Sequence, residues 1–169
     1  MIKEINGDLL DAKEGIICHQ TNFFGVMGGG IALAIKEKLL DEQQYKHYQN
    51  VCAKSGSLLL CDVLMIPIRP RLEVANCFCQ NEYPDAQGCL TNYGAMSMCF
   101  KRVKSHAITA GLPILLPGYM GCGIAGGEWG IVKDIIEQSF ADLDCTIVYK
   151  IGQRFVDESC RIINKEYKG

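Results

Sequence analysis

The feature that most restricts the fold of this chain is an alternation of short apolar runs with longer amphipathic stretches. Apolar runs of strand length fall near Ile2–Ile5, Gly15–His19, Leu58–Pro67, Val74–Cys79, Ile114–Pro117 and Cys145–Ile151. Between them, Ile31, Ile35 and Leu39 recur every four residues in Gly30–Leu40, the spacing of one helix face. Asp41–Ala53 reads as a polar surface helix, and Asn92–Ala110 as a third helix with Thr91 as its N-cap. A fourth, Glu128–Ala141, sets Trp129, Val132, Ile136 and Phe140 on one side. Strands alternating with helices predict an α/β fold, with a largely parallel or mixed sheet covered on both faces.

In such sheets ligands bind past the carboxyl ends of the strands, in loops that lead into helices. Three loops qualify: NGDLL after the first strand, QTNFFGVMGGG after the second and GYMGCGIAGG after the fifth. The last two are glycine-rich and open directly into helices. Clustered glycines let neighbouring backbone N–H groups turn toward one point, and a helix start adds the positive end of its dipole, so each loop suits an anion, above all a phosphate. One such loop alone is as readily a tight turn. Two on one sheet edge favour a pyrophosphate held between them.

GCGIAG matches G-x-G-x-x-G, but the dinucleotide fingerprint closes a first βα unit and needs an acidic residue at the end of the next strand. Here the match lies late in the chain, and Asp142 and Asp144 come before the next strand. No G-K-[ST] occurs, which excludes a Walker loop.

Composition narrows the class further. A chain of 169 residues makes one domain, and 49% hydrophobic against 21% charged residues excludes a disordered one. A net charge of −2 provides no general nucleic-acid-binding surface. MIKEINGD is charged within its first four residues and has no apolar h-region, and no apolar run approaches about 18 residues, so neither export nor a membrane span is expected. The ten cysteines run from Cys18 to Cys160 with no C-x-x-C pair, which argues against structural zinc and, without a signal peptide, against a disulfide framework. They read as small apolar core residues of a reduced, cytoplasmic protein that needs no metal or cofactor. The chain divides into a domain over residues 1–151 and an appended helix or tail over 152–169, with sparse apolar positions at Phe155, Val156, Ile162 and Ile163.

Taken in order, GDLL, IICHQTN, GVMGGGIALAI, LPGYMGCGIAGGEW and TIVYKI resemble the motifs of the macrodomain family of ADP-ribose-binding modules. The resemblance covers about Ile2 to Ile151. It is nearest the branch of the terminal-ADP-ribose glycohydrolases and the yeast-type ADP-ribose-1″-phosphate phosphatase. It implies a three-layer α/β/α macrodomain with a mixed, mostly parallel central sheet, and as partner ADP-ribose or an ADP-ribosylated macromolecule. It also implies that Asp8 accepts the adenine amino group, with the Leu9 backbone on the same edge and Tyr149 flanking the ring. Asn22 is implied to reach the distal ribose. One phosphate is expected on the backbone of Val26, Met27, Gly28, Gly29, Gly30 and Ile31, the other under Gly121, Cys122, Gly123, Ile124 and Ala125. Asp8 as an Asx-turn and Tyr149 as a core aromatic are the plainer readings.

The chain departs from its resemblance in chemistry. The glycohydrolase branch uses a lysine that bonds to the distal ribose and an aspartate in the late glycine loop; the matching positions here are Gln80 and Ala125. An amide forms no Schiff base and a methyl moves no proton, so that route is closed. The remaining catalytic candidates are His19 as a general base for water, Glu128 at a helix start that favours a carboxylate, and Asn22. Against these stand a loop-holding histidine and a first-turn charge without further role. Cys122, between two glycines, reads as a small apolar filler more than a nucleophile, and Asn81, Tyr83 and Asp85 border the distal end. The expected function is binding of ADP-ribose with hydrolysis of ADP-ribose 1″-phosphate or of an ADP-ribosyl conjugate. A reader module without turnover is the alternative, and a nicotinamide or flavin oxidoreductase ranks last.

Overall fold

The computed structural model describes residues 2–151, 154–156 and 162–164. The strands are β1 (Lys3–Asn6), β2 (Gly15–Thr21), β3 (Val63–Arg69), β4 (Leu72–Phe78), β5 (Ile114–Pro117) and β6 (Cys145–Tyr149). The helices are α1 (Gly30–Lys38), α2 (Glu42–Ser55), α3 (Tyr93–Ala110) and α4 (Trp129–Phe140). The six strands make one sheet in the order β1-β6-β5-β2-β4-β3, with every pairing parallel except that of β3 with β4 at one edge.

Successive side chains on a strand point to opposite faces, and the core divides accordingly. Ile16 and Cys18 of β2, Ala75 and Cys77 of β4, Leu116 of β5 and Ile147 of β6 pack with Met96 and Phe100 of α3 and Val132, Ile136 and Phe140 of α4. On the other face Ile17, Val74 and Val148 meet Ile35 of α1, while Phe78 and Ile66 meet Tyr48 and Cys52 of α2. Helices on both faces of a mixed, mostly parallel sheet form the three layers expected. Among the described residues no helix is long and apolar enough to cross a membrane.

The second helix is the polar surface element expected, seated by Tyr48 and Cys52, four residues apart and both buried, with a capping box of Asp41 and Gln44 at its start. Two local expectations need correction. The cap of α3 is Asn92, whose Oδ1 accepts from the Ala95 N–H at 2.8 Å, and Thr91 is freed for another use. Leu58 lies in a 3-10 turn, largely exposed, and β3 starts only at Val63. In the segment 152–169, read as an appended helix or tail, Arg154–Val156 and Ile162–Asn164 pair as two antiparallel strands (β7 and β8), as suits their β-branched and aromatic residues; the rest of that segment lies outside the described residues.

Candidate functional site

β2 and β5 lie side by side and run the same way, so the two glycine loops leave the sheet together at one edge. Between them is a cleft of about 400 Å³, with Gly28–Ala32 on one wall, Pro117–Gly121 and Gly123–Ala125 on the other, and Gln20, Thr21 and Asn22 at its base. A smaller pocket of about 200 Å³ is lined by Asp8, Leu9, Ala34, Val148 and Lys150. Both are lined by Gly30, Ile31 and Pro117, so the two lie side by side.

The first loop is held from beneath. Asn22 Nδ2 donates to the Val26 carbonyl at 2.9 Å and its Oδ1 accepts from Phe24 N–H at 3.0 Å. Tyr48 of α2 donates to the Asn22 carbonyl at 2.8 Å, and Thr21 Oγ1 donates to Tyr48 in turn. Gly29 caps α1 without a side-chain hydrogen bond, so the first-turn N–H groups beside the cleft remain open to an anion.

The second loop hangs on a buried polar chain. Gly121 has φ +71, and a Cβ there would sit 2.7 Å from Gln20 Oε1 and 2.9 Å from Thr91 Oγ1, so both backbone and space require glycine. Thr91 Oγ1 donates to the Gly121 carbonyl at 2.7 Å and accepts from Gln20 Nε2 at 3.1 Å. The Cys79 thiol closes the chain on Gln20 Oε1 at 3.7 Å. Farther along, the Ala125 carbonyl accepts from Leu90 N–H at 2.7 Å. Ile124, 91% exposed, reaches toward the facing loop, its Cδ1 3.5 Å from where a Gly29 Cβ would stand.

Asp8 and Leu9 line the smaller pocket. Asp8 Oδ1 accepts from Leu10 N–H at 3.0 Å, an Asx-type cap, and Oδ2 lies 3.4 Å from Lys38 Nζ. The Leu10 amide, the largest influence, holds this carboxyl below the usual range against the opposing effect of burial, with smaller pulls from Lys38 and Lys150. Asn22, Val26, Gly28, Gly29, Gly30, Ile31, Gly121, Gly123, Ile124 and Ala125 line the cleft, and so does Gln80. Among the described residues no charged side chain lines this cleft.

The structure moves several expected residues out of the groove. Tyr149 does not flank the smaller pocket: it lies on the other sheet face, against Tyr119 and Trp129, donating to Glu4 Oε2 at 2.7 Å, and Val148 takes the pocket edge. His19 is fully buried and absent from the cleft lining. Its cross-strand neighbour Asn76 donates Nδ2 to the Leu64 carbonyl, which turns Oδ1 toward the ring, so His19 Nε2–H donates to it at 2.8 Å. Nδ1 is then a buried acceptor without a partner among the described residues. Burial lowers this imidazole from 6.5 to about 4, so it is neutral and out of reach as a general base for the cleft.

Glu128 caps α4 with no side-chain bond, is exposed and lines neither pocket; its N–H donates to Tyr93 Oη at 2.9 Å. The Met27 and Cys122 side chains turn into the core, Cys122 Sγ donating to the Met120 carbonyl. Asp85 Oδ1 caps its own loop through Gln87 and Cys89 N–H, and Asn81 pairs with Asn92. Neither they nor the 74% exposed Tyr83 line the cleft. Sequence reasoning missed Gln20 and Thr91, the two residues that set the second loop. The signal for Gln20 was its place beside His19 on β2, where alternation turns neighbours to opposite faces.

No family model matches the chain. Over 54 residues it is 46% identical to an ADP-ribose 1″-phosphate phosphatase of Aspergillus oryzae, a match covering 31% of this chain and 26% of that relative. The chain thus spans about a quarter of the curated relative it matches. Among solved structures, a protein of unknown function from Bacteroides thetaiotaomicron superposes with TM-score 0.78 at 26% identity, covering 89% of this chain and 98% of that one. A macrodomain protein from Streptomyces coelicolor gives TM-score 0.70 at 22% identity, covering 89% and 98%. Thermosipho africanus DarTG, solved in complex with ADP-ribose, gives TM-score 0.68 at 16% identity, covering 88% of this chain and 41% of that one. The fold of this chain is the one seen in these macrodomain structures.

Proposed function

We propose that this macrodomain binds ADP-ribose, free or as a conjugate. The observation that carries the reading is the Asp8 pocket lying beside a cleft walled by two glycine loops, with Gly30, Ile31 and Pro117 lining both. In this reading the adenine amino group donates to Asp8 Oδ2, an acceptor-only carboxylate whose other oxygen is already used by Leu10. Leu9 and Val148 supply apolar contact for the ring. The diphosphate lies between Gly28–Ile31 and Gly121–Ala125 on backbone N–H groups, and the distal ribose lies toward Asn22, Gln20 and Gln80. The likeness to a phosphatase and the solved ADP-ribose complex of a similar fold support it.

A second reading, hydrolysis of a phosphate ester at the distal ribose, is favoured by the 54-residue likeness to the phosphatase. Water would attack phosphorus and the P–O bond to the ribose would break, releasing inorganic phosphate and ADP-ribose. The side chains available at that end are the amides of Asn22, Gln20 and Gln80, which orient water and ribose, and the loop N–H groups, which stabilise charge on the departing oxygen.

Equilibrium titration with ADP-ribose, AMP and ribose 5-phosphate, with a phosphate-release assay on ADP-ribose 1″-phosphate, tests both readings. ADP-ribose is expected to bind more tightly than either fragment. Gly123 has open space around a Cβ, so Gly123→Glu keeps the fold and sets a carboxylate in the diphosphate cradle. Unchanged binding in that variant contradicts the placement. Binding without phosphate release leaves the reader and removes the hydrolase.

A further inference from the structure

The end of β4 sends two thiols to the sheet face that α3 covers. Cys77 and Cys79 are two residues apart, so both point to one side, and Cys99 of α3 meets them there. All three are fully buried, and the Cys99 sulfur is hydrogen-bonded to the thiols of both the others. It also donates to the carbonyl of exposed Asp62 at 3.2 Å, so the turn through Cys61 and Asp62 covers it from solvent. In that turn Cys61, partly exposed and packed on the same cluster, holds φ +74, a left-handed conformation that costs energy in a residue with a Cβ.

The three thiols are not alike. Hydrogen bonds from Cys77 and Cys79 hold Cys99 below the ordinary thiol range, helped by the Arg102 guanidinium and opposed by burial and the Asp62 carboxylate. Cys77, through its bonds to Cys18 and Cys99, and Cys79, through burial, are pushed above that range. The thiolate is the reactive form, and it is favoured at Cys99. Its two neighbours differ in freedom. Cys77 is locked inside β4, paired with Gln20 of β2 on one side and Val63 of β3 on the other. Cys79 lies just past the strand end, and its thiol donates to Gln20 Oε1 at 3.7 Å. Gln20 in turn holds Thr91, and Thr91 holds the Gly121 carbonyl. A new bond at Cys79 therefore removes a donor from the chain on which the second glycine loop hangs.

We propose that Cys99 and Cys79 are an oxidation site that closes to a reversible disulfide under peroxide, and that closure weakens ligand binding in the cleft. The second half rests on the ADP-ribose reading above; the first does not. The Cys99 thiolate attacks one oxygen of hydrogen peroxide and the O–O bond breaks. The other oxygen leaves as hydroxide, takes up the proton lost by Cys99 and becomes water, and a sulfenic acid remains on Cys99. Cys79 sulfur then attacks that sulfur; the S–S bond forms, the S–O bond breaks, and a second water leaves with the Cys79 proton. The two sulfurs give up two electrons, which reduce the peroxide. The thiols are already in contact and need only close to about 2 Å, a movement that the strand end allows more readily than the strand interior.

In the test, the full chain is reduced with dithiothreitol and treated with hydrogen peroxide. Its remaining thiols are then blocked, and it is digested with chymotrypsin, which cuts after Phe78 and so separates Cys77 from Cys79. The expected result is a Cys79–Cys99 cross-link and an ADP-ribose affinity about tenfold lower, both reversed by dithiothreitol. Cys99→Ser is expected to bind ADP-ribose as the reduced wild type does, which also shows that it folds, and to keep that affinity in peroxide. Should this variant fail to fold, the wild-type cross-link and the reversal of its effect still decide the outcome. A bridge from Cys99 to Cys77, oxidation to sulfinic or sulfonic acid with no bridge, or unchanged affinity in the bridged protein overturns the proposal. Failure of the reduced wild type to bind ADP-ribose is a different result: it removes the ADP-ribose reading and the effect on binding, while the mapped bridge still tests the disulfide.

Discussion

Thr91 Oγ1 donates a 2.7 Å hydrogen bond to the carbonyl of Gly121, thirty residues away in sequence, and so joins the start of α3 to the second glycine loop. The hydroxyl is buried and also accepts from Gln20. Thr91→Val keeps the shape but takes the acceptor from the buried Gln20 amide, a cost of about 1–3 kcal/mol, and leaves the Gly121 carbonyl with the Gly127 N–H alone. The expected result is a loss of ADP-ribose affinity of about tenfold or more in Thr91→Val and near wild-type affinity in Thr91→Ser, read by titration. Equal affinity in both variants contradicts a positioning role.

In the proposed reading backbone N–H groups hold the diphosphate, and among the described residues no charged side chain lines the cleft. Screening acts on ion pairs at the surface far more than on buried dipoles. ADP-ribose affinity is therefore expected to change by less than about threefold between low and high salt. A steep linear fall of affinity with salt would show that lysines carry the binding.

His19 links stability to pH. Its folded value of about 4 lies below the ordinary 6.5, so between these limits the unfolded chain binds a proton that the folded chain does not. Stability is whole above about 6.5 and falls as the pH drops toward about 4, by up to about 3 kcal/mol from this group. Denaturant unfolding of wild type and His19→Gln across this range is expected to show a shallower slope for the variant. Parallel curves would mean that His19 titrates normally in the folded chain.

Gly118 lies against the Tyr149 ring so closely that a Cβ would fall within it. Tyr149 is buried and tied to Glu4, so it has little room to move. Gly118→Ala is expected to cost about 1–3 kcal/mol by overpacking and to lower the thermal midpoint by several degrees. An unchanged midpoint would mean that the ring relocates freely.

Where the signal is periodic, the sequence carries the architecture: all six strands of the main sheet and all four helices follow from apolar runs and faces. The glycine loops were legible as well, as segments that lead from strands into helices at one sheet edge and wall one cleft. What failed was parity. Tyr149 and Val148 differ by one position on β6, and in a strand that decides which face is met, a matter of register that composition does not encode. His19 failed similarly, because the cover over its face comes from distant chain. Thr91 resembled a cap in sequence, but Asn92 took that bond, and the hydroxyl's true partner is set by tertiary packing.

The most direct test of the account is a calorimetric titration of ADP-ribose into the wild-type chain and into Asp8→Ala. The account predicts saturable binding at one site in the wild type, weakened about tenfold or more when the carboxylate that meets the adenine amino group is removed. No binding in the wild type, or the same affinity in both proteins, would contradict it.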